Sequence, residues 1–274
     1  MARLGVCSWS LRPSSPADLA ARVRECGVGA VQLALDPVRS GAWDEGETRG
    51  VLGANGIGIL SGMMAMEDED YSTLDTIRAT GGVRPDATWP ANLAAARANA
   101  ALAERLGLGL VTFHAGFLPH DHADPERARM IRRLRELIEV FGERGVRVAF
   151  ETGQESAGTL LDVLAELPES AGVNFDPANM ILYGMGDPVA ALRQLAGRVV
   201  QIHVKDALPA ETPGAWGTEV VAGSGAVRWE ELFAARGEAG LSCDLVVERE
   251  AGDSRIPDVR TAAALVRRSA PVDA

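Results

Sequence analysis

Glutamate, aspartate, histidine and glutamate close four strand-like runs in the second half of this 274-residue chain. The runs are VRVAFE, ending at Glu151, AGVNFD at Asp176, VVQIH at His203 and CDLVVE at Glu248. If they are parallel strands of one closed barrel, their C-terminal ends meet at a single mouth. Three carboxylates and an imidazole then surround one point. Like charges gathered so closely repel, and a divalent cation is the natural compensation. One imidazole among three carboxylates is a hard, oxygen-rich donor set. It suits Mn²⁺ best, with Mg²⁺ and Co²⁺ as close alternatives and Zn²⁺ a more distant one.

Strand parity tests that reading, because successive side chains point to opposite faces. Val146, Val148 and Phe150 share one face and leave Glu151 on the other. Val173 and Phe175 oppose Asp176, and Val200, Ile202 and Val204 oppose His203. Apolar faces pack outward on helices, so the ligand candidates point inward together. Glu248 fits less cleanly, since Val246 lies inward beneath it.

The elements that would hold these residues alternate along the chain. Strand candidates fall at 3–8, 30–35, 57–62, 109–114, 146–151, 171–176, 199–204 and 243–248. Helical patterns separate most of them, among them PADLAARVRECG, ANLAAARANAALAERLG and DPERARMIRRLRELIEVFGERG, the last with Asp124 as cap and Pro125 in the first turn. Glycines 27, 29, 56, 107, 145, 172 and 240 precede strands, as helix C-caps do. Eight such repeats in a chain of this length predict an α/β fold, a single (β/α)8 TIM barrel over residues 1–274. No GxGxxG follows the first strand, which argues against a dinucleotide fold. Two connections, 63–90 and 206–228, exceed simple turns; both leave C-terminal strand ends and are expected to cover the metal site. The final SAPVDA is expected to fray.

A net charge of −11 argues against a general nucleic-acid or anionic-membrane surface. No apolar run approaches a membrane span, and RLGVCSWSL opens directly as a strand with no signal-like apolar segment. The three cysteines, Cys7, Cys26 and Cys243, are scattered, consistent with reduced thiols and a cytoplasmic location.

The motifs FETGQES (150–156), NFDPANMILYG (174–184), HVKDA (203–207), AGSGAVRWEEL (222–232) and VVERE (246–250) resemble those of the xylose isomerase-like TIM-barrel superfamily. Within it they are similar to the sugar phosphate isomerase/epimerase group, which includes ketose 3-epimerases, inosose dehydratases and hydroxypyruvate isomerases. The resemblance implies Glu151, Asp176, His203 and Glu248 as metal ligands. It also implies Glu151 and Glu248 as paired catalytic acid/base groups, acting on opposite faces of a carbon next to a carbonyl through a metal-stabilised enediolate. The implied partner is a small carbohydrate or keto-polyol, and relatives often form dimers or tetramers.

One position departs from many relatives, which carry a histidine three residues after the strand-six aspartate. Here Asn179 stands, able to hydrogen-bond but not to act as a base. The pattern around Gln154 and Glu155 also differs from that of the ketose 3-epimerases. His114, Glu155, Asn179 and Lys205 are further substrate-binding candidates; Lys205 faces either substrate or a salt bridge with Asp206. Trp9 and Ser61 lie near strand ends as weaker candidates. His120 and His122 read as a solvated loop.

Three competing functions remain. A dehydratase of a keto-polyol would use the same enediolate and expel a hydroxyl. A DNA-repair endonuclease of this fold needs several zinc-binding histidines, but those places hold Ser61 or Gly62, Asn179 and Val220–Val221, and only His114 matches. A silent polyol sensor has little use for two opposed carboxylates.

Overall fold

In the computed structural model, which describes residues 2–212, 214–270 and 272–273, eight strands close into a parallel barrel. They are β1 (Ala2–Cys7), β2 (Ala30–Ala34), β3 (Gly58–Met63), β4 (Leu110–Phe113), β5 (Arg147–Glu151), β6 (Gly172–Phe175), β7 (Val199–Val204) and, after two short intervening strands, β10 (Asp244–Val247). Each pairs with its neighbour in sequence order, and β10 returns to β1 through Leu4↔Leu245, Gly5↔Val246 and Val6↔Val247. This is the expected (β/α)8 barrel, with every strand within about a residue of its predicted span.

Helices wrap the barrel. Pro16–Cys26 starts where Ser15 Oγ accepts from the Asp18 amide at 3.2 Å, and ends at Gly27, whose φ of +71° is open to a residue without a Cβ. Pro125–Gly142 is capped by Asp124 and buries Met130, Leu134, Leu137 and Phe141 along one stripe. The helix Glu45–Ala54 is not evident in the sequence pattern, because EGETRGVLGA carries no full apolar stripe; Asp44 caps it at 2.7 Å. Gly172 lies inside β6 rather than at a cap, where a Cβ would meet Val200 at 2.8 Å.

The period of two divides the strand side chains between two environments. Val6, Val31, Leu33, Val111, Phe113, Val148, Phe150, Val173, Phe175, Ile202 and Leu245 enter the main core against the helices. Cys7, Ala30, Leu60 and Val246 form a small apolar plug inside the barrel. Above it the interior turns polar: Gln32, Ser61, Thr112, Asn174, Gln201 and His203 are all fully or almost fully buried. Such groups are tolerated only when hydrogen-bonded. They are joined in series: Ser61 donates to Gln201 (2.6 Å), Gln201 to Asn174 (3.1 Å) and Gln32 to Thr112 (2.7 Å).

Both long connections carry structure of their own. Residues 63–90 include the helix Leu74–Thr80, and 206–228 include an antiparallel pair, β8 (Asp206–Leu208) with β9 (Thr218–Val220). The terminal segment does not simply fray as expected. Residues 272–273, as β11 (Val272–Asp273), pair in parallel with Ala2 and Arg3, a stretch of β1 preceding its first β10 partner at Leu4. No helix among the described residues is long and apolar enough to cross a membrane.

Candidate metal centre

Glu151 ends β5, Asp176 directly follows β6, His203 lies in β7, and Glu248 directly follows β10. All four are buried, and one donor atom from each lies within 4.8 Å of the others. The His203 Nδ1 sits among them, 3.6 Å from Glu151 Oε1, 3.5 Å from Asp176 Oδ2 and 3.4 Å from Glu248 Oε2. Donors around a small divalent ion bound at ~2.1 Å lie about 3 Å apart, only a few tenths of an ångström closer.

Each carboxylate is tethered from behind. Asp176 Oδ1 accepts from the Ala178 and Asn179 amides (2.8 and 2.9 Å), capping the helix Pro177–Leu182. Glu151 accepts from Asn174 at 3.1 Å and from Asn179 at 2.8 Å. Glu248 accepts from the Trp9 indole at 2.8 Å and from Lys205 Nζ at 2.9 Å. Two buried atoms aimed at the middle, Asp176 Oδ2 and His203 Nδ1, have no hydrogen-bond partner. A buried polar atom left unpaired is costly, and a cation that displaces any hydrogen on Nδ1 satisfies both at once. The donor set therefore fits a divalent ion.

The charges respond to this crowding. Burial raises the Asp176 carboxyl above its ordinary value. Burial would raise Glu248 too, but Lys205 and His203 prevail and hold it well below the carboxylate range. Glu151 is lowered as His114 and His203 outweigh its burial. His203, which burial alone would depress, is lifted well above its ordinary value by negative neighbours that include Glu151 and Glu248. Cys7 Sγ lies 3.7 Å from His203 Nε2, completing a second possible ligand grouping with Glu248. Burial pushes that thiol up, however, and a protonated sulfur is a poor ligand.

A cavity of about 710 Å³ opens beside the cluster, with Glu248, of the four, in its wall. The 63–90 connection supplies Met63, Met64, Glu69 and Tyr71 to its wall; the 206–228 connection supplies Trp216, Gly217 and Glu219. Asp206 anchors the latter connection, accepting from the backbone of Ala207, Gly223, Gly225 and Val227 and from the Trp229 indole. A Cβ at Gly225 would overlap Asp206 Oδ1 at 2.1 Å, which accounts for the glycine in AGSGAVRWEEL.

The other sequence candidates divide. Asn179, His114, Lys205 and Trp9 line the cavity. Asn179 spends its amide nitrogen on Glu151. His114 Nε2 stands 3.6 Å from Glu151 Oε1, while its Nδ1 has no partner. Lys205 pairs with Glu248 and with Glu250 (2.5 Å); Asp206 is fully engaged elsewhere. Glu155 is buried but not among the lining residues, and desolvation raises it to about 8. The turn at Gly153 presses against Asn179 and brings Gln154 rather than Glu155 towards Tyr183, at 3.4 Å. Ser61 lies in the barrel interior. His120 and His122 are exposed, His120 against Thr159 and His122 3.8 Å from Asp162. Sequence reasoning missed Gln32, Asn174, Glu250, Tyr183 and Trp216. For the first two a signal existed: a polar residue at an inward strand position.

Comparison with known proteins agrees with this architecture. The family model for the xylose isomerase-like TIM barrel matches residues 20–269. The crystal structure of a xylose isomerase domain protein from Planctomyces limnophilus is 30% identical, with a TM-score of 0.83 over 91% of this chain and 92% of that one. L-Ribulose 3-epimerase superposes with a TM-score of 0.74 at 17% identity, covering 98% of this chain and 94% of the other. The probable 3-DHS dehydratase of Bacillus anthracis superposes with a TM-score of 0.75 at 16% identity, covering 97% and 99%. At these lower identities the likeness shows the fold alone. A comparison with curated proteins gives no match. The chain belongs to the xylose isomerase-like TIM-barrel family.

Proposed function

We propose that this protein is a divalent-metal-dependent sugar isomerase or epimerase, moving a proton at a carbon next to a carbonyl. The observation that carries the reading is the pair Glu151 and Glu248. Each flanks the His203 Nδ1, and each is tethered by hydrogen bonds that fix its approach to a bound substrate. Held by Glu151, Asp176, His203 and Glu248, a bound ion, best Mn²⁺, supplies Lewis-acid polarisation of the substrate carbonyl.

The chain's own residues do the rest. One glutamate removes the proton from the α-carbon and the other returns one from the opposite face, which inverts the centre; return instead to the former carbonyl carbon, with the hydroxyl proton passing to the other oxygen, moves the carbonyl. Trp9 and Lys205 hold Glu248 in place; Asn174 and Asn179 hold Glu151. Tyr71, Tyr183 and Trp216 line the mouth with aromatic surface. His114 Nδ1 and Trp216 Nε1 are buried and unpartnered, and they suit substrate hydroxyls.

The cavity also speaks to substrate charge. Among the described lining residues Lys205 is the one ammonium or guanidinium, and Glu248 and Glu250 already engage it. A phosphate ester would face Glu69, Glu219 and Glu250 with no free counter-charge. The substrate is therefore a neutral keto-sugar or keto-polyol.

A second reading, dehydration of a keto-polyol, is favoured by one feature. The Lys205 ammonium lines the cavity beside Glu248, so a departing hydroxyl there would leave next to a fixed positive charge and take back the proton that the glutamate removed. One experiment tests both. Unphosphorylated keto-sugars and inososes are incubated in D₂O with Mn²⁺ and followed by NMR and mass spectrometry. Deuterium entering a single carbon of an isomerised product supports epimerisation; a product lighter by one water supports elimination. Absence of exchange throughout the panel, with manganese demonstrably bound, refutes the proposal.

A further inference from the structure

The four ligand candidates rest on the polar barrel interior, and one of its members touches His203 on the side away from the carboxylates. Gln32, fully buried in β2, places its Oε1 2.7 Å from His203 Nε2. Its amide nitrogen donates to Thr112 Oγ1 at 2.7 Å, and the Thr112 hydroxyl in turn donates to Met63 Sδ at 2.8 Å, so the oxygen end of the amide faces the imidazole. A carbonyl oxygen can only accept, so the Nε2 it faces must carry hydrogen. The second close neighbour, Asn174 Nδ2 at 3.0 Å, is a donor. It has an alternative acceptor in Glu151 Oε2 at 3.1 Å, so the shorter Gln32 contact sets the pattern.

This matters because an imidazole that ligates a metal gives up one of its two hydrogens and keeps the other. Three carboxylates surround Nδ1, and they would draw that hydrogen to Nδ1 unless Nε2 had an acceptor of its own. A hydrogen on Nδ1 would block the lone pair needed for a metal. We infer that Gln32 is a positioning residue that fixes the tautomer of His203, keeping hydrogen on Nε2 and the Nδ1 lone pair free for the ion. The inference rests on the metal site proposed above. It follows the general pattern in which a ligating histidine hands its other N–H to a fixed acceptor.

The test is manganese affinity, measured on the whole protein by the EPR signal of free Mn²⁺. Gln32→Met keeps the length of the side chain but removes the carbonyl, and should weaken binding by about 10–100-fold. Gln32→Glu retains an acceptor facing Nε2 and should hold affinity within a few-fold of wild type. A general structural defect would weaken both variants. A wild-type readout stands beside these in case Gln32→Met does not fold. In the ¹⁵N-labelled, Mg²⁺-loaded protein, His203 should show a protonated Nε2. Unchanged Mn²⁺ affinity in Gln32→Met overturns the role of Gln32 and leaves the metal site standing, whereas hydrogen on Nδ1 in the loaded wild type overturns His203 as a ligand and the role of Gln32 with it. Failure of the wild type itself to bind Mn²⁺ overturns both.

Discussion

Glu151 and Glu248 are the same residue type at corresponding strand ends, each about 3.5 Å from the same imidazole nitrogen, yet they lie in opposite settings. Glu151 is held by two neutral amides, Asn174 and Asn179, and its nearest outside group is His114. Glu248 is held by an indole and by a buried ammonium. The consequence is a difference in proton affinity. Both carboxyls fall below the ordinary range, but Glu248, beside Lys205, falls further. A pair of carboxylates exchanging one proton across a substrate gains direction from such inequality. Glu248 is the group kept ionised most firmly, and Glu151 the one whose affinity smaller changes can tune.

The largest effect should come from removing either carboxylate. Glu248→Gln and Glu151→Gln should each slow solvent-deuterium exchange at the reacting carbon by about 10²–10⁴-fold. Substantial exchange surviving in Glu248→Gln would leave Glu151 acting alone and end the two-base comparison. Next comes Lys205→Met. Lys205 and Glu248 side chains are each only 3% exposed, so the change strands a buried anion. Breaking such a pair costs about 3 kcal/mol, visible as a lower Tm of the metal-free protein. Saturating Mn²⁺ should restore much of the loss, because a second cation then faces Glu248. An unchanged Tm in the metal-free variant would show that the ammonium is not the main charge holding that side.

How far the sequence disclosed this arrangement follows from the same physics. Strand parity is local and rigid, so the inward direction of Glu151, Asp176 and His203 could be read from residues two apart. Alternating strands and helices fixed the barrel, since each βα unit buries its apolar face only by closing beside the next. Inward polar positions marked Gln32 and Asn174 in the sequence, but which ligand each partner would meet was not legible. Asn174, Gln32 and Trp9 reach the site from other strands or from the rim. Whether Lys205 meets Asp206 or Glu248 depends on where the 206–228 connection folds back, with Asp206 already drawn into five donors. The cavity wall came from long connections whose position no period encodes. Glu155 lies away from the cavity wall for a related reason: the Gly153 turn, at φ +142°, redirects the chain after β5.

The pH behaviour should separate the two sides further. Glu248, lowered in the folded state, contributes stability that is present above the unfolded value near ~4.3 and disappears as pH falls through its depressed value. His203, raised in the folded state, has the reverse sign. Its contribution is full below ~6.5 and is lost as pH rises through the raised value. The metal-free protein should therefore lose stability on both flanks, by up to ~1.4 kcal/mol per pH unit for each group. Mn²⁺ binding should release a proton from His203 near neutrality. Calorimetry in buffers of different ionisation enthalpy counts that proton, and no buffer dependence would contradict the raised imidazole. In Lys205→Met the acid flank should begin at higher pH while the alkaline flank keeps its shape.

The smallest effect belongs to the neutral side. Asn179→Ala removes one hydrogen bond to Glu151 and leaves Asn174 still donating to the other oxygen. The loss should be about 1.5 kcal/mol of stability, at the lower end for a hydrogen bond to a charged group. That is roughly half the effect at Lys205, because an amide supplies a dipole where the ammonium supplies a full charge. The Glu151 carboxyl should then titrate higher, and the exchange rate should fall on the acid side of its pH profile while Mn²⁺ affinity changes little. An Asn179→Ala protein as destabilised as Lys205→Met would mean that the two glutamates are held with equal strength, and the inequality that gives the pair its direction would be gone.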